Sequence, residues 1–244
     1  MAKILINDGI HPAGAARLEA AGHTVDLTNI PQDQLAERLP EYDAICVRSA
    51  TKVRQELIDQ CPNLKAIGRG GVGMDNIDVD YARSKGIAVL NTPAASTRSV
   101  AELAFAHMLG LARFVHQSNR QMPTDGSGEF KSLKKAYSKG QELEGKTLGV
   151  IGFGRIGQEA AKMGLAMGMK VLPVDPYAES AVLSLSFGEQ TVSQTVKTVS
   201  MDEMLAAADF MTLHIPFTGA PALGADEFAK MKKGVVIALS LIHI

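Results

Sequence analysis

Along the first ninety residues, short apolar runs alternate with segments whose apolar positions fall three and four apart. KILIN (3–7), AICV (44–47), KAIG (65–68) and IAVLN (87–91) are continuous enough to be strands buried on both faces. Between them PAGAARLEAAG (12–22), QDQLAERL (32–39) and RQELIDQC (54–61) carry helical spacing. Strands and helices in this rhythm predict a parallel sheet with helices on both faces, an α/β architecture.

The pattern changes at Ser99. Apolar residues at 100, 103, 104, 108, 111 and 115, with His107 among them, form one stripe along a helix, and Ser99 followed by Glu102 is a capping-box start. HQSNRQMPTDGSGEF (116–130), with Pro123, Gly126 and Gly128, is polar and reads as a surface loop. A second alternation follows: TLGVIG (147–152), a helix, MKVLPVD (169–175), a Ser/Thr-rich stretch, DFMTLHIP (209–216) and GVVI (234–237). Two α/β units are expected, 1–98 and 99–244, bridged by the long helix.

Composition narrows the function classes. The 244 residues carry 25 basic and 26 acidic side chains, with no run of five like charges, which gives no reason to expect a nucleic-acid partner. The first residues, MAKILINDGIHP, do not form a signal peptide. The stretch Ala101–Val115 is broken by Glu102, His107 and Arg113 and is too short to cross a bilayer, so no membrane association is expected. Two cysteines, Cys46 and Cys61, read as buried thiols in a reducing, cytoplasmic setting.

The strongest local signal is GKTLGVIGFGRIGQEAAKMG (145–164). Gly152, Gly154 and Gly157 form G-x-G-x-x-G directly after a strand and at the start of a helix. Such glycines allow a tight turn, backbone approach by a pyrophosphate and close helix–strand packing, and the helix N-terminus offers free N–H groups to phosphate. Asp175 ends the next strand, where an acid accepts both ribose hydroxyls of NAD and repels the additional phosphate of NADP. NAD is the expected cofactor, and no metal site is expected.

VRSATKV (47–53), IGRGGVGMDNIDVD (67–80), VLNTP (89–93), SVAELA (99–104), GKTLGVIGFGRIG (145–157) and LHIP (213–216) together resemble the D-isomer-specific 2-hydroxyacid dehydrogenases, especially members acting on 3-phospho-D-glycerate. The likeness runs from Met1 to about Ile237. It implies a flavodoxin-like substrate-side unit followed by a Rossmann NAD-binding unit, the latter incomplete. The implied reaction is hydride transfer between C2 of a D-2-hydroxy acid and the nicotinamide. In the phosphoglycerate members the product is 3-phosphohydroxypyruvate and the pathway serine biosynthesis.

On the substrate side the resemblance implies contacts from Arg48, Ser49, Arg69, Gly71, Val72 and Gly73. The first and third are arginines at strand ends, suited to a phosphorylated hydroxy acid. The glycines at 70, 71 and 73 read as a nest of N–H groups for a carboxylate. On the cofactor side it implies Val72, Gly152, Gly154, Arg155, Ile156, Gly157, Asp175, His214, Ile215 and Pro216. It also implies a homodimer formed through the NAD unit. Lys134 and Lys135 read as a solvated pair, and Ser99 as a helix cap. None of the histidines His11, His23, His107, His116 or His214 is placed as a base.

The chemistry of oxidising an α-hydroxy acid needs a base, a carboxylate orienting it and a cation on the substrate carboxylate. The resemblance assigns these to a histidine, a glutamate and an arginine that follow GVVI. Here ALSLIHI (238–244) stands instead, with Ile242 at the arginine position. His243 would be a base without an orienting carboxylate. The expectation is a chain lacking that catalytic set, ending in sequence foreign to the fold and leaving a sheet edge unpaired. Two alternatives remain open: a non-enzymatic NAD-binding sensor of the same fold, and an enzyme for glycerate, glyoxylate or D-lactate.

Overall fold

The structure is a computed structural model that describes residues 1–216 and 219–240. It divides into two compact units, Met1–Ser96 and a second beginning at Thr97, two residues before the boundary read from the pattern.

In the first unit the strands are β1 (Lys3–Ile6), β2 (Thr24–Asp26), β3 (Ala44–Val47), β4 (Ala66–Arg69) and β5 (Ala88–Asn91). The helices are α1 (Pro12–Ala20), α2 (Leu35–Arg38), α3 (Gln55–Asp59) and α4 (Val79–Ser84). All strand pairs are parallel, in the order β2-β1-β3-β4-β5, which is the flavodoxin-like arrangement. Leu5, Ile45 and Ile67 fill the sheet core with no exposure. β2 was not legible as a strand: TVD is three residues long, at the sheet edge and only half-buried. Short edge strands carry little apolar pattern.

The second unit opens with α5 (Thr97–Ala112) and α6 (Val115–Tyr137), then β6 (Thr147–Ile151), α7 (Arg155–Ala166) and β7 (Lys170–Val174). It continues through β8 (Ser180–Phe187), β9 (Gln190–Lys197), α8 (Met201–Ala207), β10 (Phe210–Leu213), α9 (Ala225–Lys230) and β11 (Val236–Ala238). Among the described residues β11-β10-β6-β7 form a parallel Rossmann-type sheet.

α5 packs on α7 and β11. Its buried residues are Val100, Ala101, Ala104, Phe105, Met108 and Ala112, whereas Leu111 and Val115, read as part of the stripe, are 42% and 53% exposed. The buried face is turned from the apolar stripe because small alanines let the helix approach its neighbours, so that Phe105 reaches Gly164 of α7.

One expectation is corrected, and one unassigned stretch is placed. Residues 116–130 are helical within α6, not a loop, although most of α6 is exposed. The helix breaks at Glu129, which has φ −115° and ψ 20°. The chain there folds back, because the Tyr137 hydroxyl donates to Gln121 and its ring lies 6.2 Å from that of Phe114. The Ser/Thr-rich stretch is the antiparallel hairpin β8–β9, closed around Gly188 at φ 62°. One of its faces places Leu183 and Val196 against Phe153 and Ala161. The other carries a polar ladder, including Ser184–Ser193 at 2.9 Å.

Candidate functional site

Parallel sheets present their ligand sites at the carboxyl ends of the strands, and both units place the predicted residues there. In the first unit a cavity of about 650 Å³ opens at the ends of β1, β3, β4 and β5. Arg48 follows β3 and Arg69 ends β4, and both line it. Ser49, Gly71, Val72 and Gly73 do not.

The loop carrying Arg48 is held by three side chains that the sequence reading did not single out. Asp8 Oδ2 accepts the N–H of Arg48 at 2.6 Å and that of Thr51 at 3.1 Å, and Asp8 Oδ1 accepts the Thr51 hydroxyl. Asn76, 5% exposed, donates through Nδ2 to the carbonyls of Arg48 at 2.7 Å and Thr51 at 2.6 Å. Asn7 donates to Thr51 Oγ at 2.8 Å. Burial works to raise the pKa of Asp8, but the Thr51 hydroxyl, the two N–H groups and the charge of Arg48 outweigh it and hold the carboxyl below its ordinary value. The available signal was positional: polar Asn7-Asp8 directly after an apolar strand, where buried polar groups must have partners.

The Arg69 guanidinium lies over Gly71. A Cβ at residue 71 would fall 1.5 Å from Arg69 Nη1, so glycine there is what admits the arginine. Arg69 Nε is buried without a hydrogen-bond partner among the described residues. The N–H of Gly70 goes to Val47 O at 2.9 Å and that of Gly71 to Arg69 O at 3.0 Å, so these two are not free to act as a nest. The loop returns to β5 through Asn91, whose Nδ2 donates to Val72 O at 2.7 Å.

In the second unit the glycine loop joins β6 to α7. Gly152 has φ 90°, and a Cβ there would meet His214 O at 2.8 Å. A Cβ on Gly157 would fall 1.9 Å from Gly152 O, so the third glycine sets the closeness of helix and strand. At Gly154 a Cβ would meet nothing within 4 Å, leaving that side of the loop open to a pyrophosphate. Arg155, exposed, and Ile156, half-buried, begin α7.

Asp175, at the end of β7, accepts the N–H of Phe153 at 2.6 Å and that of Tyr177 at 2.8 Å. It therefore clasps the glycine loop, with one backbone bond on each oxygen and acceptor capacity left on both. His214, Ile215 and Pro216 follow β10. The His214 N–H donates to Ile151 O at 2.8 Å, and its Nε2 lies 3.2 Å from Thr212 Oγ1. Nδ1 is buried without a partner among the described residues. Burial pushes the His214 pKa down from 6.5 to about 4, so the ring is neutral at physiological pH. The loop, Asp175 and His214 thus meet around one carboxyl edge, as a dinucleotide cradle requires.

Cys46 is half-buried and Cys61 buried, both free. Burial raises both thiols, Cys61 to about 11. No helix among the described residues is long and apolar enough to cross a membrane. Ile242 and His243 lie outside the described residues.

Comparison with known proteins bears on the family and the fold. The chain is 41% identical over 239 residues to the D-3-phosphoglycerate dehydrogenase of Methanocaldococcus jannaschii, covering 97% of this chain and 43% of that one. It is 44% identical over 211 residues to the hydroxypyruvate reductase of Thermotoga maritima, covering 86% and 63%. The chain therefore spans less than two thirds of each relative. An NAD-bound 3-phosphoglycerate dehydrogenase of Entamoeba histolytica superposes with a TM-score of 0.70 at 26% identity, over 98% of this chain and 71% of the other. The TT0316 protein of Thermus thermophilus gives 0.78 at 28% identity, over 96% and 72%. Residues 4–228 match the family model described as D-isomer specific 2-hydroxyacid dehydrogenase, catalytic domain, and the chain belongs to that family.

Proposed function

We propose that the chain supplies the substrate-side and NAD-binding units of a dehydrogenase that oxidises 3-phospho-D-glycerate to 3-phosphohydroxypyruvate. The observation that carries the substrate is the convergence of Arg48 and Arg69, from neighbouring parallel strands, on one cavity. Two planar cations suit a ligand with two anionic ends. The orphaned Arg69 Nε supplies a donor that wants an acceptor. Gly70 and Gly71 are committed to backbone bonds and Val72 and Gly73 stand outside the cavity lining, so the arginines rather than a glycine nest face the substrate.

The cradle of the second unit would hold NAD, with Gly154–Ile156 at its pyrophosphate, Asp175 at its ribose and His214, Ile215 and Pro216 beyond Gly152. When bound, it would supply the hydride acceptor for C2. Asp175, an anion, disfavours the 2′-phosphate of NADP. The neutral His214 neither attracts nor repels charge there.

The chain as given binds but does not turn over, because Ile242 stands where the resemblance puts the substrate arginine. The working protein is a cytoplasmic homodimer formed through the NAD unit. The similarity to a hydroxypyruvate reductase favours a second reading with the same chemistry on an unphosphorylated acid, and the two arginines weigh against it.

The test is NADH formation, followed at 340 nm, from 3-phospho-D-glycerate and from D-glycerate. The 244-residue chain is run beside a version in which the residues after Ile237 are those of a full-length relative. Activity in the second alone, with preference for the phosphorylated acid, is expected. Turnover by the 244-residue chain contradicts the claim about Ile242. Preference for D-glycerate moves the reductase reading to first place, and NAD binding with inertness in both proteins supports the sensor reading.

A further inference from the structure

The cavity of the first unit has a third nitrogen donor on its wall. His11 lies in the turn after β1 and lines the cavity with Arg48 and Arg69. In the sheet order β1, β3 and β4 are neighbours, so the three groups stand at the ends of three adjacent strands.

The hydrogen bonding of His11 fixes which ring nitrogen serves the cavity. His11 is the N-cap of α1, and its Nδ1 accepts the N–H of Ala13 at 3.2 Å. A ring nitrogen that accepts carries no proton, so the neutral ring has its proton on Nε2. The other free donor of the first turn, the N–H of Gly14, is spent on the His11 carbonyl at 2.8 Å, and Pro12 has none. The nine-residue helix α1 therefore presents its N-terminus through the imidazole. A backbone N–H pointing at Nδ1 polarises the ring and strengthens Nε2–H as a donor.

The one carboxylate on the cavity wall, Asp8, does not cancel this arrangement. Its two oxygens accept three hydrogen bonds from the 48–51 loop, so its charge is directed into the loop that carries Arg48. Asn91 and Thr92 also lie on the wall but donate into the neighbouring loop, to Val72 O and Gly71 O, which leaves the two arginines and His11 Nε2 facing an incoming anion. A carboxylate is satisfied by a single forked guanidinium, whereas a phosphate offers three oxygens and takes donors from several directions.

We infer that His11 is a specificity-determining residue that donates from Nε2 to the phosphate of the substrate and separates phosphorylated from unphosphorylated hydroxy acids. The inference rests on the proposed substrate site and adds to it the group that reads the phosphate.

Calorimetric titration of 3-phospho-D-glycerate and of D-glycerate tests it, using the wild-type chain, His11→Asn, His11→Gln and Arg48→Ala. Asparagine is a good N-cap and preserves the start of α1, but its short amide cannot reach where Nε2 stands. Glutamine places an amide nitrogen near that point. A hydrogen bond to a charged group supports a selectivity effect of roughly tenfold or more. The expected result is that His11→Asn lowers the preference for the phosphorylated acid by about that factor, that His11→Gln recovers part of it, and that Arg48→Ala weakens binding most. Unchanged preference in His11→Asn, with Arg48→Ala still damaging, overturns the role of His11 and leaves the site standing. No binding of 3-phospho-D-glycerate by the wild type overturns both. Equal loss for both acids, or no recovery by glutamine, also refutes phosphate reading by His11.

Discussion

His214 gives the protein a pH dependence of stability whose sign and size follow from its surroundings. Burial lowers its pKa from 6.5 to about 4 in the folded chain, while the unfolded chain titrates near the ordinary value. The unfolded state therefore binds the extra proton first as pH falls. The stabilisation is fully present above pH 6.5 and is lost between 6.5 and about 4. Below that window both states are protonated and nothing more changes. At about 1.4 kcal/mol per unit, the displacement of roughly 2.5 units amounts to about 3 kcal/mol, with a slope approaching 1.4 kcal/mol per pH unit inside the window. His214→Gln removes the titration and keeps a polar atom for Thr212 Oγ1. The chain has no tryptophan, so urea unfolding is followed by far-ultraviolet circular dichroism, without cofactor, from pH 7 to pH 4. Carboxylates contribute to both proteins alike, and the difference between the two curves isolates the histidine. That difference should move by about 3 kcal/mol in favour of the variant as pH falls. A flat difference curve would refute the burial argument.

Gly157→Ala drives a Cβ to 1.9 Å from Gly152 O, so α7 must retreat from the loop. NAD binding should be lost and stability should drop by about 1–3 kcal/mol; retention of wild-type NAD affinity in titration counts against the packing role. Asn76→Ala leaves the carbonyls of Arg48 and Thr51 without their buried donor, at a cost of about 2 kcal/mol. It should weaken 3-phospho-D-glycerate binding more than NAD binding, and equal effects on both ligands would show that the loop does not position Arg48. Leu183→Ala opens a hole between the hairpin and α7, worth about 2–5 kcal/mol. Hydrogen exchange should quicken at β8 and β9 before α5, and uniform quickening would mean the hairpin is not a separate layer.

How much of this was legible depended on where apolar residues were continuous and where they were not. The inner strands β1, β3, β6 and β10 are mostly apolar and largely buried, which is what parallel burial demands, whereas β5 at the sheet edge exposes Ala88 and Leu90 although its sequence reads as a strand buried on both faces. The hairpin escaped notice although it alternates: Ala181, Leu183, Leu185 and Phe187 fall on one face and Ser184 and Ser186 on the other. Its serines and threonines mask the strands as a polar stretch, and the period of two is the better guide. In α6 Pro123 and two glycines argued for a loop, yet tertiary contacts at Phe114, Gln121 and Tyr137 hold helical turns on either side of Glu129. At the sites, the glycine loop, Asp175 and the arginines could be read because their spacing reports the backbone they need. The partners of Asp8 and Asn76 could not be read, since they lie 40 and 28 residues away and no local pattern encodes such pairings; the His11 bond to Ala13 is local, but the fold alone brings that ring to the cavity of Arg48 and Arg69.

The most direct test of the account is the cofactor preference of the 244-residue chain. NAD and NADP are titrated into the wild type and into Asp175→Ala. The account predicts that NAD binds the wild type at least about tenfold more tightly than NADP, and that the substitution narrows the gap by weakening NAD and relieving NADP. Equal binding of the two cofactors by the wild type, or no binding of NAD, would contradict it.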